Sequence, residues 1–426
     1  MFSAGLGRWA VKPIDAVAAV LLSCGVALRA VRLSFPGQMM FDELHFVENA
    51  RNYLAGKPDW NDHPPLGKLI LAASIRLFGD QSLAWRLPLL VAGLLTIALA
   101  GVAVARLFKD VRTGVLAAAL IAADGFFISY SRAGLLDGFL VACAAAALLI
   151  VTLRWTLLTA VALGLVCGVA CSIKFSGVSL VATSMVALLL LRDVSWRMRV
   201  GSAALISVVT VLVYFVVFGL GLSLTGKSGA PPSVVTETLG LLKHHAAATS
   251  MTHPFTSAWP TWFLPTRPII MGVFREGGGL RTLTTLGNLA VWWPAMVLAA
   301  SLTGLVAWRG VGATLQAREG ASWGPGAFLD AHGREVLLLG AGALLFVAPW
   351  MLSRRDSYIY HFLPAYLFFT VLLGAYVGWV ARTRRSAALV FVAVVLVVLA
   401  FYAPAWSFGL ITDAGFDARF VLPGWR

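Results

Sequence analysis

Two adjacent carboxylates, Asp42 and Glu43, stand in "FDELHF" (41–46) beside a long apolar segment, and "NDHPPLGK" (61–68) follows about twenty residues later. Successive residues on a helix or turn diverge by about 100°. One carboxylate can therefore face a reaction centre while the other orients a second group. An ionised carboxylate at the hydrocarbon boundary is costly and is a functional candidate for that reason. Partial burial raises its pKa toward the range of a general base. The competing reading is a solvated loop carboxylate at the membrane surface. The two prolines after His63 fix φ and suit the first turn of a helix behind an Asn or Asp cap, with Lys68 one turn in. Together they read as a stiff bracket across the mouth of a cavity.

Several cations recur at comparable depth: Arg86, Arg132 in "SRAGLLD", Lys174 in "SIKFSG", and Arg354-Arg355 in "SRRDSYIYH". A cation in hydrocarbon needs a partner. Asp137 and Asp356 could serve some of them, and a lipid phosphate could serve others, since arginine offers a planar fork to phosphate oxygens. Snorkelling to headgroups is the competing account for any one of them. Neither a GxGxxG after a strand nor a Walker A sequence is present, and the glycines of "REGGGL" (275–280) resemble neither. An activated group is therefore expected to arrive on a lipid carrier held in the bilayer, a polyprenyl phosphate before a nucleotide. No spacing suits a metal, and none is expected.

The elements that must position these residues are membrane helices. Of 426 residues 59% are hydrophobic and 12% charged, against about a quarter charged in a soluble globule. Apolar runs at 15–33, 83–105, 114–130, 135–152, 156–173, 176–191, 200–223, 286–307, 335–352, 359–381 and 386–408 are each long enough to approach or cross a ~30 Å hydrocarbon core. The chain is predicted to be an all-α polytopic membrane protein with about eleven spans in one domain, 1–426. The net charge of +14 fits loops retained on the cytoplasmic side and contact with anionic lipid; no nucleic-acid module is visible. Lys12 and Arg8 precede the first run, and "LLSCG" (21–25) looks like a lipoprotein cleavage box. Cleavage would strip the first span from the "DE" pair, so the span is read as retained.

Basic residues beside the spans, from Arg106, Lys109 and Arg112 through Arg192, Arg197 and Arg199 to Arg318, Arg334 and Arg382, favour a cytoplasmic N-terminus and an extracytoplasmic C-terminus. The segments 34–82 and 225–285 are then long outer loops, the first carrying an interfacial piece, "LGKLILAASIRLFG". The stretch 308–334 reads as a plain inner linker. His45, His63, His244, His245, His253 and His361 fall on or near the outer side, and only His332 falls inside. Polar chemistry is concentrated on one face. The four cysteines lie in apolar runs and read as packing residues.

The stretch "FDELHFVENARNYLAGKPDWNDHPPLGKLI" resembles the first extracytoplasmic loop of the protein O-mannosyltransferases, and the resemblance continues through "SRAGLLDGFL", "SIKFSG", "HPFTSAWPTWFLPTRPI", "LGNLAVWW" and "YIYHFLPA". It implies a GT-C type glycosyltransferase of the bacterial plasma membrane with its active site facing the periplasm or exterior. Mannose would pass from polyprenyl-phosphate mannose to a Ser or Thr hydroxyl of a secreted or membrane protein, with inversion and no cofactor. On that resemblance Asp42 is the general base, Glu43 and His63 position the acceptor, and Arg86, Lys174, Arg355 and Arg132 meet the donor phosphate. Membrane lipids are partners, and association with the secretion machinery stays open. The long outer loop lacks room for the β-trefoil insertion of eukaryotic members.

Two rivals remain at this stage. A related GT-C enzyme would move another lipid-linked sugar onto a lipid or glycan, as the aminoarabinose transferases do, although "DHPPLGK" fits the mannosyltransferases better. A transporter for a lipid-linked sugar would need access from both sides and paired discontinuous helices in matching halves, and none are evident.

Overall fold

The computed structural model of the chain describes residues 12–59, 62–191, 194–247, 253–311, 324–353 and 355–426. Arg8, Asn61, Arg192, Arg318 and Arg354 lie outside these residues. All eleven apolar runs fall on helices: α1 (Pro13–Ala30), α4 (Ser82–Leu107), α5 (Val111–Ala122) with α6 (Gly125–Tyr130), α7 (Asp137–Val151), α8 (Leu157–Ile173), α9 (Val178–Leu190), α10 (Trp196–Leu224), α12 (Leu289–Val311), α13 (Pro325–Leu352), α14 (Leu363–Thr383) and α15 (Arg385–Trp406). Among the described residues seven are long and apolar enough to cross a membrane, and α5, α7, α8 and α9 are shorter apolar helices. Helices suit hydrocarbon because each satisfies its own backbone donors and acceptors.

Small residues let these helices approach closely, as expected where water supplies no hydrophobic drive between them. A Cβ at Gly374 of α14 would come within 2.5 Å of the Ala117 backbone in α5, and one at Gly168 of α8 within 2.5 Å of Val213 in α10. The α14 window is 83% buried, which makes it the central post of the bundle. A polar knot fastens that post. Asp124 accepts from the backbone N–H groups of Phe126 (2.9 Å) and Asn288 (2.8 Å) and from the Tyr366 hydroxyl (2.9 Å), while Asn288 Nδ2 donates to Ala123 and Val395 carbonyls.

Two buried arginines meet helix C-terminal carbonyls, Arg29 those of α5 and Arg132 those of α1. Arg29, in the last turn of α1, donates to the Ile121 (3.0 Å) and Ala122 (2.7 Å) carbonyls that end α5. Arg132 donates to the Leu28, Arg29 and Arg32 carbonyls at the end of α1. Each guanidinium satisfies carbonyls that the helix leaves unpaired and meets the negative end of its dipole.

The connections hold more structure than the sequence suggests. The first long loop carries α2 (Glu43–Leu54) and α3 (Leu66–Phe78); the second carries α11 (Pro231–Ala246) and the hairpin β1 (Ile270–Glu276)–β2 (Gly279–Thr284). Strand β3 (Leu410–Ile411) pairs antiparallel with β2, and α16 (Asp413–Arg419) follows. The described residues are therefore helical apart from one small sheet and the connecting turns. The plain linker expected over 308–334 is corrected: α13 already begins at Pro325, buries Phe328 and Leu329, and kinks at His332 (φ −136°, ψ 30°). The proline-led first turn and those apolar anchors extend the helix beyond its hydropathy peak.

The long loops meet at one end of the bundle. The Ser257 N–H donates to the Ser357 carbonyl at 2.8 Å, and Trp425 Nε1 donates to the Pro265 carbonyl at 2.8 Å. Basic contacts such as Arg112–Asp15 and Arg382–Asp110 gather at the other end.

Candidate active site

Phe41 adopts φ 48°, the left-handed region disfavoured for a bulky side chain. The turn delivers Asp42 to the N-terminus of α2. Aspartate there ordinarily caps the helix, yet the Asp42 side chain makes no capping bond. Its carboxylate is half-buried within electrostatic reach of His45, Lys174, Asp137 and Asp62. Burial pushes the carboxyl up from 3.8 to about 6, and His45 and Lys174 pull the other way.

Glu43, one residue on, is fully buried and points elsewhere. It holds Arg86 in a two-pronged pair, Nε to Oε1 and Nη2 to Oε2, each 2.9 Å. The same carboxylate accepts the Met40 N–H at 3.1 Å and the Gly134 N–H at 2.8 Å. Arg86 directs its remaining N–H groups to the Leu33, Pro36 and Gln38 carbonyls. All five of its donors are occupied. Glu43, expected to position the acceptor, and Arg86, expected to meet the donor phosphate, here tie the first loop to α4 and to the turn before α7. Arg132 is likewise engaged with the end of α1 and does not turn toward Asp42.

Lys174 ends α8 and is buried. Its Nζ meets both oxygens of Asp137, at 2.8 and 3.0 Å, and stands 4.9 Å from the Tyr360 ring centroid. The Asp137 partner expected from sequence is present. His63 lies beside this group, its ring stacked on His245 at 5.6 Å and near Phe46 at 5.9 Å. The His63 Nδ1 is buried without a hydrogen-bond partner among the described residues. Burial, reinforced by Lys174, holds its pKa well below the ordinary value.

His245 closes the site from α11. Arg355 Nη1 donates to its Nδ1, and its Nε2 lies 2.6 Å from the Asp62 carbonyl. Because arginine only donates, Nδ1 accepts and the ring proton sits on Nε2, facing that carbonyl. The half-buried Arg355 thus joins the first loop, α11 and the segment before α14. His361 belongs to the same electrostatic group, with Lys174, His63 and Arg355 as its charged neighbours. The expected Asn or Asp cap with both prolines in the first turn is corrected: α3 begins only at Leu66, Pro65 stands at its N-cap without a side-chain capping bond, and a Cβ on Gly221 of α10 would meet Pro65 at 2.7 Å.

The structure brings Asp42, Lys174, His63 and Arg355 together, and leaves Glu43, Arg86 and Arg132 as braces around them. Tyr130, Tyr360 and His245 were not singled out as site residues from sequence. Only "SYSRAGLLD" and "YIYH", polar tyrosines within apolar context, could have signalled two of them. Among the described residues no group of three His, Cys, Asp or Glu side chains is arranged to hold a metal.

This arrangement suits proton removal beside an anion, and comparisons with known proteins bear on the family. Residues 19–87 and 62–220 match families described as dolichyl-phosphate-mannose-protein mannosyltransferase, and 236–415 match the C-terminal four-transmembrane region of protein-O-mannosyltransferase. A polyprenol-phosphate-mannose–protein mannosyltransferase of Mycolicibacterium smegmatis is 33% identical over 142 residues, covering 31% of this chain and 28% of that relative. Its counterpart from Mycobacterium tuberculosis is 31% identical over 115 residues, 25% of this chain and 22% of its own length. The matches thus span under a third of these curated relatives. In fold, the chain is similar to the S. cerevisiae Pmt1-Pmt2 complex bound to the sugar donor, with TM-score 0.82 at 14% identity, covering 98% of this chain and 93% of that one. It is also similar to ArnT from Cupriavidus metallidurans bound to undecaprenyl phosphate, with TM-score 0.57 at 17% identity over 95% and 77%.

Proposed function

The chain belongs to the protein O-mannosyltransferase family, with its GT-C membrane fold, and from that premise we propose that it transfers mannose from polyprenyl-phosphate mannose to Ser or Thr hydroxyls of polypeptides. The observation that carries the reading is Asp42 itself: a half-buried carboxylate, withheld from capping its own helix, within electrostatic reach of Lys174.

In the proposed step Asp42 takes the proton of the acceptor hydroxyl. The freed oxygen pair attacks the anomeric carbon from the face opposite the phosphate, and the sugar–phosphate C–O bond breaks with its electrons on the departing phosphate. Inversion needs one base and no covalent enzyme intermediate. Lys174 and Arg355 would meet the phosphate charge, with His63 and His361 alongside. Protein cations would thus do the work that a metal does elsewhere, and the reading needs none.

The loop-rich end is proposed to face the exterior of a bacterial plasma membrane. The basic side chains at the opposite end support this, because such residues favour the cytoplasmic side. Acceptors would arrive as extended chains from the secretion machinery.

The test is direct. Purified protein receives radiolabelled polyprenyl-phosphate mannose with either a Ser/Thr-rich peptide or a lipid acceptor. Label in the peptide supports the proposal; label in the lipid alone transfers it to the aminoarabinose-transferase type of chemistry. Labelling of single cysteines placed at positions 57 and 384 from each side of sealed vesicles tests the orientation.

A further inference from the structure

We propose that Tyr130 contacts the transferred sugar, its phenol donating a hydrogen bond to a hydroxyl oxygen of the donor pyranose. The inference rests on the group-transfer reading above and adds a sugar-recognition residue to it.

Tyr130 is the last residue of α6 and is 2% exposed. Its hydroxyl is buried and has no hydrogen-bond partner among the described residues. The residue is also held in place. Phe126 packs edge-on against the ring at 5.6 Å, and a Cβ on Gly138 would lie 2.9 Å from the Tyr130 carbonyl oxygen. Only glycine at 138 permits that approach of α7. A fixed phenol that leaves its hydroxyl unsatisfied in a low-dielectric interior is costly unless a ligand completes it, since phenylalanine would fill the space without the polar atom.

The surroundings of the hydroxyl are acidic. Asp137 and Asp42 lie within its electrostatic reach, with Tyr360 as a third neighbour that is within reach of the same two carboxylates, and Gly138, packed on the Tyr130 backbone, directly follows Asp137 in α7. Asp137 is the counter-ion of Lys174. Inverting displacement places the anomeric carbon between the base and the leaving phosphate. A donor that faces both Asp42 and the Lys174–Asp137 pair therefore lies alongside that line, level with the sugar ring. Pyranose hydroxyls can accept from a phenol while donating to a nearby carboxylate, and each such bond strengthens the other.

The experiment compares affinities of the full-length purified protein for polyprenyl-phosphate mannose and for bare polyprenyl phosphate. In Tyr130→Phe the preference for the sugar-bearing lipid should fall about 3- to 10-fold while bare-lipid affinity stays unchanged. In a panel of monodeoxy mannosyl donors, one member should be used equally by parent and variant, because the partner of the phenol is already missing. A 3-fluorotyrosine at position 130, which keeps the shape and strengthens the donor, should raise the preference; this arm remains informative if the phenylalanine protein does not fold. An unchanged preference in either variant, or an equal loss for both lipids, overturns the assignment. Absence of mannose transfer by the parent would count against the enzymatic reading alone, since the affinity ratio is measured without turnover.

Discussion

The carboxylate of Glu43 grips the guanidinium of Arg86 with two bonds of 2.9 Å, and neither side chain has any exposed surface. The pair therefore braces the loop that presents Asp42. Breaking a buried pair by removing one partner typically costs about 3–5 kcal/mol. Glu43→Gln and Arg86→Ala should each lower the melting temperature markedly and reduce kcat. Arg86→Lys should weaken transfer while leaving affinity for bare polyprenyl phosphate within about twofold, because Arg86 has no donor left for the phosphate. A large loss of phosphate affinity in that variant, measured by competition, would return Arg86 to the donor site.

Asp42 must be ionised to act as a base. Burial raises its pKa to about 6, so kcat/KM should climb as pH rises through about 6 and level off above 7. Asp42→Asn should lower kcat by roughly 10²- to 10⁴-fold with donor affinity retained. A flat pH profile in the parent, or near-parental turnover by the asparagine variant, would sink the assignment.

Lys174 pulls the Asp42 pKa down while facing the proposed phosphate position. Its loss should therefore have two signatures. Lys174→Gln should weaken bare polyprenyl phosphate binding by roughly tenfold or more and move the acid limb of the pH profile to higher pH. Because the change leaves Asp137 buried without its cation, the double variant Lys174→Gln/Asp137→Asn should recover thermal stability without recovering phosphate affinity.

His245 is held neutral by burial and by Arg355, with its pKa below the ordinary 6.5. The unfolded chain then binds the proton more readily than the folded one, so the stability this contact contributes is complete above 6.5 and declines as pH falls below it. His63, shifted in the same direction, adds to the effect, whereas the raised pKa of Asp42 opposes it between 3.8 and about 6. A melting curve recorded at pH 7.5 and 5.5 should show acid loosening in the parent and a smaller drop in His245→Asn. Equal drops would remove His245 from the contact.

The helical plan was legible because apolar runs of this length have few alternatives, and "DE" with "HPP" marked the right loop. The roles within the motif were less so. Asp42 and Glu43 are chemically alike and adjacent, and only the left-handed Phe41 and the distant Arg86 and Gly134 decide which one is enclosed. Arg86, Arg132 and Lys174 looked equivalent as deep cations. Long-range geometry separates them: two meet carbonyls or Glu43, while Lys174 remains beside Asp42. Asp124 and Asn288 escaped notice as a knot because each is an isolated polar residue whose partners lie 164 residues apart. His245 was visible only as one histidine among several, since its meaning depends on Arg355.

The contact of Arg132, beyond α6, with the end of α1 bears on how the protein is made. Arg132 leaves the ribosome 103 residues after the Arg29 carbonyl that it satisfies. Until then the end of the first helix must borrow partners from water, lipid headgroups or the insertion channel. A nascent chain stalled before residue 132 would therefore present these carbonyls without the guanidinium that meets them in the finished fold.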